Sequence, residues 1–125
     1  MLLGSLNYTF RPINGQEFDL GDINVSTVPV DHRVEAYGFI VKHTSGWKIV
    51  YSGDTRPCPA LAQAGSGATL LIHEATFDDE LYQDAVNKYH STMGEALSIG
   101  ASMNAWKVVM THFSQRYSKL SLIHI

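Results

Sequence analysis

Three residues with metal-binding side chains each follow an apolar, strand-like run of the sequence. His32 comes after INVSTVPVD, Asp54 after WKIVYSG and His112 after WKVVMT. Imidazole nitrogen and carboxylate oxygen are donors that hold zinc while leaving a position open for water, and loops on a rigid sheet commonly supply them. The same residues also suit turn formers, caps or structural hydrogen bonders, and their separations form no local motif. If a metal is bound, Asp54 is the candidate to bridge two ions, which suits phosphodiester hydrolysis.

A second group of polar residues could move a proton. Glu74 follows the buried-strand pattern ATLLIH, and His90 directly precedes a capped helix. A histidine oriented by a carboxylate can protonate a leaving oxygen, because the carboxylate raises its pKa toward the working pH. The alternative is structural: Glu74 caps a helix or pairs with a surface lysine, and His90 merely enters the helix. Arg116 could bind a phosphate through its guanidinium fork, or it could simply be solvated.

Length and composition are those of one globular domain. The chain has 125 residues, 45% of them hydrophobic and 17% charged, which is enough for one core and too few for two. The formal charge of −3 argues against a surface that binds nucleic acid mainly through excess positive charge. Cys58 is the single cysteine, so no internal disulfide can form. No run reaches the roughly 18 apolar residues of a membrane span and no signal peptide is recognisable, so we expect a soluble, intracellular protein.

The early part of the chain is rich in strand patterns. Alternation in Ile23–Val30 predicts a half-buried strand, and two further β runs joined by a turn with glycine predict a hairpin. The predicted strands are Leu6–Ile13, Ile23–Val30, Tyr37–Lys42, Trp47–Tyr51, Ala68–Ile72 and, as the last, Lys107–Met110. The segment Phe18–Gly21 is predicted to be a turn.

Helix signals appear later and alternate with strands. Proline at the start predicts a helix through Gln63, acids in the first turn favour a helix over Asp78–Lys88, and Thr92 with Glu95 matches a capping box. The order predicts an α+β protein with a mixed sheet and helices packed on its outer face.

Five segments, taken in order, resemble tRNase Z, the endoribonuclease that processes tRNA 3′ ends. They are PVDHRVEAYGF, YSGDT, LLIHEATF, YHST and THFSQRY, and the likeness extends over residues 24–119. The spelling HEATF and the short connection between Tyr37 and Trp47 are more like the long eukaryotic form than the short bacterial one. The resemblance implies the metallo-β-lactamase fold, an αββα sandwich of which this chain is the C-terminal part.

The resemblance also implies roles for individual residues. By this likeness His32 binds one zinc ion, Asp54 bridges two and His112 binds the other, with two Zn²⁺ in each complete domain. Glu74 and His90 transfer a proton to the leaving group, and Arg116 holds the substrate phosphate. The implied substrate is precursor tRNA, and the implied location of a eukaryotic long form is the nucleus or the mitochondrion.

The chain departs from this family in two respects. The HxHxDH motif, which supplies most zinc ligands in the family, is absent and is expected upstream of Met1. We therefore expect residues 1–119 to be a partial domain that is inactive alone, since metal binding depends on several ligands at once. Residues 120–125, LSLIHI, do not continue the family pattern and are predicted to be a non-native scar, so that His124 is not a ligand.

Two alternatives remain open at the level of sequence. One is another hydrolase of the same fold that acts on a different ester or phosphodiester. The other is a non-catalytic half-domain that needs a partner chain to complete its sheet, since an unpaired edge invites association.

Overall fold

Within the residues that the structure describes, seven strands form one mixed sheet. The structure is a computed structural model that describes residues 17–114 and the backbone of residues 121–124. The strands lie side by side in chain order. They are β1 (Glu17–Leu20), β2 (Ile23–Pro29), β3 (Tyr37–His43), β4 (Lys48–Tyr51), β5 (Leu70–Glu74), β6 (Lys107–Thr111) and β7 (Ser121–His124). Strands β4, β5 and β6 are parallel and the other neighbours are antiparallel.

Helices occupy the connections between the parallel strands, where a crossover is needed. They are α1 (Pro59–Ala64), a 3-10 turn (Asp79–Leu81), α2 (Tyr82–Lys88) and α3 (Met93–Met103). Helix α1 has proline at its start, and α3 begins with the predicted capping box between Thr92 and Glu95. In the described part of the chain no helix is long and apolar enough to cross a membrane. The predicted mixed sheet with helices on its face is confirmed.

The core lies between one face of the sheet and helices α1 and α3. Alternate strand residues point to this face, so that Val50, Leu71 and Val108 are completely buried. They pack in one cluster with Leu61 of α1 and Met103 of α3. Burying several large aliphatic side chains stabilises a fold by roughly 1.5–3 kcal/mol each. The central strands therefore contribute much of the core that the described residues form.

The opposite face of the same strands is apolar but only half-buried. One row of side chains on this face crosses four neighbouring strands. Each residue of the row pairs in register with the next, in the order Phe39, Tyr51, Ile72 and Val109. None of these four side chains is buried in the described structure, and Tyr51 is 40% exposed. A half-exposed apolar row in the middle of a sheet suggests a surface that another layer covers.

Two predicted element boundaries were wrong. The segment predicted as a turn at Phe18–Gly21 is instead strand β1 followed by a turn at Gly21, because pairing with β2 satisfies its backbone and Asn24 donates to the carboxylates of Glu17 and Asp19. The single helix predicted over Asp78–Lys88 is a 3-10 turn followed by α2. The strand predicted at Leu6–Ile13 lies outside the described residues.

Strand β6 was predicted to be the last, but β7 follows and pairs antiparallel with it. The free edge of β6 offers unpaired backbone groups to any extended apolar segment, which gives a physical reason for this pairing. The pairing does not test where residues 120–125 come from, so their origin as a scar stays a prediction. The side chain of His124 lies outside the described residues.

His73 is a titratable side chain in the core. It is completely buried on β5, its Nδ1–H donates to the carbonyl of Glu74 at 2.7 Å, and its Nε2 has no hydrogen-bond partner among the described residues. Burial lowers the pKa of His73 below its ordinary value, although the neighbouring Glu74 acts in the opposite direction. The folded protein therefore holds this imidazole neutral.

Replacing His73 with leucine is expected to remove part of the acid sensitivity of folding. The unfolded chain takes up a proton below pH 6.5 and the folded chain resists it, so stability is present above that pH and is lost below it. One such group changes the free energy of unfolding by about 1.4 kcal/mol per pH unit. Urea unfolding at about pH 5.5 and about pH 7.5 measures this, with His43→Leu as the control. An equal pH dependence in His73→Leu and the unsubstituted chain would contradict the prediction.

Candidate metal and catalytic centre

Four strands deliver polar residues to the same edge of the sheet. Strands β4, β5 and β6 are parallel. Strand β3 is antiparallel to both β2 and β4, so β2 runs in the same direction as these three strands. His32, Asp54, Glu74 and His112 lie at or just past their carboxyl ends. The topology therefore brings together residues that are far apart in the sequence.

Asp54 is placed by a tight turn at the end of β4. Gly53 has a φ of 61°, and a Cβ at this position would lie 2.9 Å from the carbonyl oxygen of Tyr37. Only glycine fits such a positive φ without strain and clash. The turn leaves the side chain of Asp54 41% exposed at the edge of the sheet.

The carboxylate of Glu74 is buried and fully engaged. Its Oε1 accepts the backbone N–H of Thr55 at 2.8 Å. Its Oε2 accepts the backbone N–H of Ser91 at 3.0 Å, the hydroxyl of Thr76 at 2.8 Å and the backbone N–H of Thr76 at 3.2 Å. A charge out of water is tolerated only with such partners. These bonds fix the direction in which Glu74 faces His90.

His90 meets Glu74 through one nitrogen and leaves the other available. Its Nδ1 lies 2.7 Å from Oε1 of Glu74, so Nδ1 carries the hydrogen and Nε2 is left to accept or release a proton. The side chain of His90 is 17% exposed and that of Glu74 is 2% exposed. The predicted pair is therefore brought together, and it is shielded from bulk water.

His112 is held at the same centre by Thr76 and Asp54. Its Nδ1 lies 3.0 Å from the hydroxyl oxygen of Thr76 and 3.2 Å from Oδ1 of Asp54. Since that hydroxyl donates its own hydrogen to Glu74, it accepts from Nδ1 of His112. His112 also has a φ of 60°, an uncommon backbone conformation for a non-glycine residue. The arrangement leaves Nε2 of His112 free to bind a metal.

His32 is positioned by the loop that carries His90. Its Nδ1–H donates to the carbonyl of Tyr89 at 2.7 Å, which leaves Nε2 as the ligand atom. The rings of His32 and His90 are 5.1 Å apart between centroids. Tyr89 has a φ of 58° where α2 ends.

The described residues contain a group able to hold a metal ion. One potential ligand atom from each of Asp54, Glu74, His90 and His112 lies within 4.8 Å of the others. Their nitrogen and oxygen donors are of the kind that zinc takes. Because Glu74 is saturated by hydrogen bonds inside the fold, Asp54 and His112 are the better placed ligands of this group.

The structure thus unites most, but not all, of the predicted site residues. It brings Asp54 and His112 together with Glu74 and His90, and it places the ring of His32 beside His90. Arg116 lies outside the described residues. Sequence reasoning missed Thr76, which connects Glu74 to His112 from the loop directly after β5. The available signal was a hydroxyl side chain two residues after Glu74.

Comparison with known proteins assigns the family. Residues 5–113 match the family described as beta-lactamase superfamily domain. The chain belongs to this superfamily. It is 55% identical over 96 residues to zinc phosphodiesterase ELAC protein 2 of Homo sapiens and 44% identical over 115 residues to a mitochondrial tRNase Z of Arabidopsis thaliana. These matches cover 77% and 84% of this chain. The predicted resemblance to tRNase Z and the predicted fold class are confirmed.

Solved structures agree with this assignment. Human tRNase Z, short form, is 32% identical with a TM-score of 0.75, and the match covers 86% of this chain and 45% of that chain. A long form RNase Z from yeast is 39% identical with a TM-score of 0.73, and the match covers 79% of this chain and 14% of that chain. The chain spans 12% of the length of the human zinc phosphodiesterase and 13% of the Arabidopsis relative. It therefore corresponds to a small part of these relatives.

Glu74 and Asp54 are expected to differ sharply in their importance for folding. Glu74→Ala leaves buried donors without an acceptor and should lower the free energy of unfolding by about 3 kcal/mol. Asp54→Ala removes a half-exposed carboxylate and should change it by less than about 1 kcal/mol. Urea unfolding of both variants at neutral pH measures the difference. Equal losses in the two variants would show that the buried network does not stabilise the fold.

Proposed function

We propose that this chain is part of a zinc-dependent endoribonuclease of the tRNase Z type, which removes the 3′ trailer from precursor tRNA. The observation that carries the proposal is the Glu74–His90 pair beside Asp54 and His112, in a chain 55% identical to a zinc phosphodiesterase. A buried acid–base pair next to exposed metal-binding donors suits the hydrolysis of a phosphodiester, which needs both charge stabilisation and a proton.

The metal ligands from this chain are proposed to be His32, Asp54 and His112, with Asp54 shared between two zinc ions. Support comes from the tautomers: both histidines use Nδ1 within the protein and present Nε2. When bound, the two ions would supply positive charge that activates water and stabilises the phosphate oxygens. Asp54 is exposed enough to offer one oxygen to each ion.

His90 is proposed to donate a proton to the leaving 3′ oxygen of the tRNA. Glu74 accepts Nδ1–H of His90, so that Nε2 is the ring nitrogen left to carry a proton to the substrate. The departing oxygen takes that proton and becomes a 3′ hydroxyl. Arg116 is proposed to hold the phosphate, on the resemblance of THFSQRY alone.

The remaining zinc ligands are proposed to come from a polypeptide segment that carries the HxHxDH motif and is not among these 125 residues. The apolar row of Phe39, Tyr51, Ile72 and Val109 supports this, because it forms a half-exposed sheet face that a second layer would cover. We call this chain together with that segment, joined or associated, the completed domain. In the nucleus or the mitochondrion it would meet precursor tRNA; the mitochondrial Arabidopsis relatives favour the latter.

The completed domain is expected to cut a precursor tRNA at the junction with its 3′ trailer. Asp54→Ala should reduce kcat by about 100-fold or more, since it removes a ligand proposed to serve both ions. Gel analysis of an end-labelled precursor measures the cleavage, and Asp84→Ala, an acid at the start of α2, serves as the matched control.

The outcomes of this test separate the alternatives. A folded, zinc-loaded completed domain that does not cleave the precursor contradicts the proposed function, and a screen of other esters and phosphodiesters then tests a related hydrolase. Cleavage that survives Asp54→Ala contradicts the bridging role of this carboxylate.

The isolated chain is expected to bind zinc weakly and to lack activity, because it holds only part of the ligand set. Addition of the HxHxDH segment should restore tight binding. Ile49 lies two residues before Tyr51 on β4 and therefore on the same half-exposed face of the sheet. Ile49→Lys places a charge on that face and should weaken the association by about tenfold or more. Zinc titration and gel filtration measure both, with Ser98→Lys on the exposed side of α3 as the control. Two tight zinc sites on the isolated chain would contradict the prediction.

A further inference from the structure

The side chain of Arg56 makes three hydrogen bonds, one to the segment that carries His90 and two to Glu95 of α3. Its Nη1 donates to the backbone carbonyl of His90 at 2.6 Å and to Oε1 of Glu95 at 2.7 Å, and its Nη2 donates to Oε2 of Glu95 at 2.7 Å. The side chains of Arg56 and Glu95 are 14% and 21% exposed. A two-pronged arginine–carboxylate pair of this kind has a defined direction as well as strength.

The backbone around Arg56 connects the other loops of the site. Its N–H donates to the carbonyl of Asp31 at 2.8 Å, immediately before His32. The preceding Thr55 accepts the N–H of Asp31 through its hydroxyl and accepts the hydroxyl of Ser91 through its carbonyl. Residues 55 and 56 therefore bind both the segment that carries His32 and the segment that carries His90.

Both backbone groups of His90 are occupied, and Arg56 holds one of them. The N–H of His90 donates to the carbonyl of Ala85 at 2.9 Å, and its carbonyl accepts from Arg56. These two bonds hold the peptide units on either side of His90, and the backbone there sets where the imidazole points and whether Nδ1 reaches Glu74. The guanidinium group of Arg56 also lies over the ring of Tyr82, with its Cζ 5.6 Å from the ring centroid.

Glu95 has two tasks that a substitution can separate. Its Oε1 also accepts the N–H of Thr92 in the capping box of α3. Burial acts to raise the pKa of Glu95, but hydrogen bonds from Arg56 and Thr92 outweigh this and lower the pKa. Glutamine at position 95 retains an oxygen for the cap while it removes the charge that holds Arg56.

We propose that Arg56 is a positioning residue for the proton transfer: by binding the carbonyl of His90 and the carboxylate of Glu95, it holds the imidazole in contact with Glu74. This inference rests on the proposed function for its chemical consequence. Arg56 acts through His90 and not on the substrate or the metal ligands. Its loss therefore reduces the chemical step and leaves binding of zinc and of RNA in place.

The test compares Arg56→Met, Arg56→Lys and Glu95→Gln in the completed domain. Arg56→Met should lower kcat by about 10- to 100-fold, with KM and zinc content within about twofold of the unsubstituted protein. Arg56→Lys should recover part of the loss, because an ammonium group can still donate to the carbonyl of His90. The kcat of Glu95→Gln should lie between those of Arg56→Met and the unsubstituted protein. Lys48→Met is the matched control, since Lys48 also donates to a backbone carbonyl, that of Ser66, away from the site.

A double substitution distinguishes positioning from general structural damage. In a His90→Ala background, Arg56→Met should cause no further loss of kcat, because the residue through which it acts is gone. An equal loss in both backgrounds, a parallel fall in zinc content, or an unchanged kcat in Arg56→Met would overturn the proposal.

A spectroscopic measurement keeps the inference separate from the proposed function. Nitrogen-15 NMR of the histidine rings reports the hydrogen bond from Nδ1 of His90 to Glu74, and Arg56→Met should weaken this signature while that of His73 stays unchanged. If the completed domain cleaves no precursor tRNA, the proposed function fails, yet the NMR comparison still decides whether Arg56 positions His90. An unchanged His90 signal in Arg56→Met would overturn the positioning role.

Discussion

The carboxylate of Glu74 is the interaction on which the geometry of the site depends. It accepts hydrogen bonds from Thr55, Thr76 and Ser91, which belong to three different segments, and from the imidazole of His90. Removing one of these donors would leave the buried charge of Glu74 with fewer partners, and removing the carboxylate would leave buried N–H groups unpaired. Either change lowers the free energy of unfolding. The three segments are thus held in one arrangement around the side chain of Glu74. This arrangement fixes the positions of the loops at the edge of the sheet.

The two functions of the site are built with different exposure. The pair proposed to transfer the proton is shielded, with Glu74 2% and His90 17% exposed, whereas Asp54 and His112, the proposed metal ligands, are 41% and 50% exposed. Shielding strengthens the electrostatic coupling within the pair and needs only residues of this chain. Exposure of the other two leaves room for metal ions and for the ligands proposed to come from the HxHxDH segment. Under the proposed function, one half of the chemistry is therefore preorganised here, and the other half depends on the segment proposed to complete the domain.

The sheet itself shows the same division. Helices α1 and α3 bury one face around Leu71 and Val108, and the other face presents Phe39 and Ile72 half-exposed. In an αββα sandwich the second face packs on another sheet, so the apolar row and the exposed side chains of Asp54 and His112 both fit the proposal that a further segment completes the domain. The site lies at the carboxyl ends of β2, β4, β5 and β6. A second sheet packed on the half-exposed face would reach the same edge and could add ligands there.

Local patterns in the sequence determined most of the elements. Alternation predicted β2, and further β-rich or apolar runs predicted β3 to β6. Proline and the Thr92–Glu95 box predicted the starts of α1 and α3, and five ordered motifs indicated the family. The segment at Phe18–Gly21 was misread because its backbone forms a strand only through pairing with β2, across the tight turn at Gly21 and Asp22. The same holds for β7, which forms on the free edge of β6.

Only the tertiary structure decided which residues touch within the site. No spacing in the sequence relates Thr76 to His112 or Arg56 to the carbonyl of His90, yet these contacts set the tautomer of one histidine and the orientation of another. The physical reason is that side-chain types and periodicity act over a few residues, whereas hydrogen bonds between strand ends depend on the order and direction of strands in the sheet. The sequence by itself determined which chemical groups were available, and the packing of the strands decided which of these groups lie in contact.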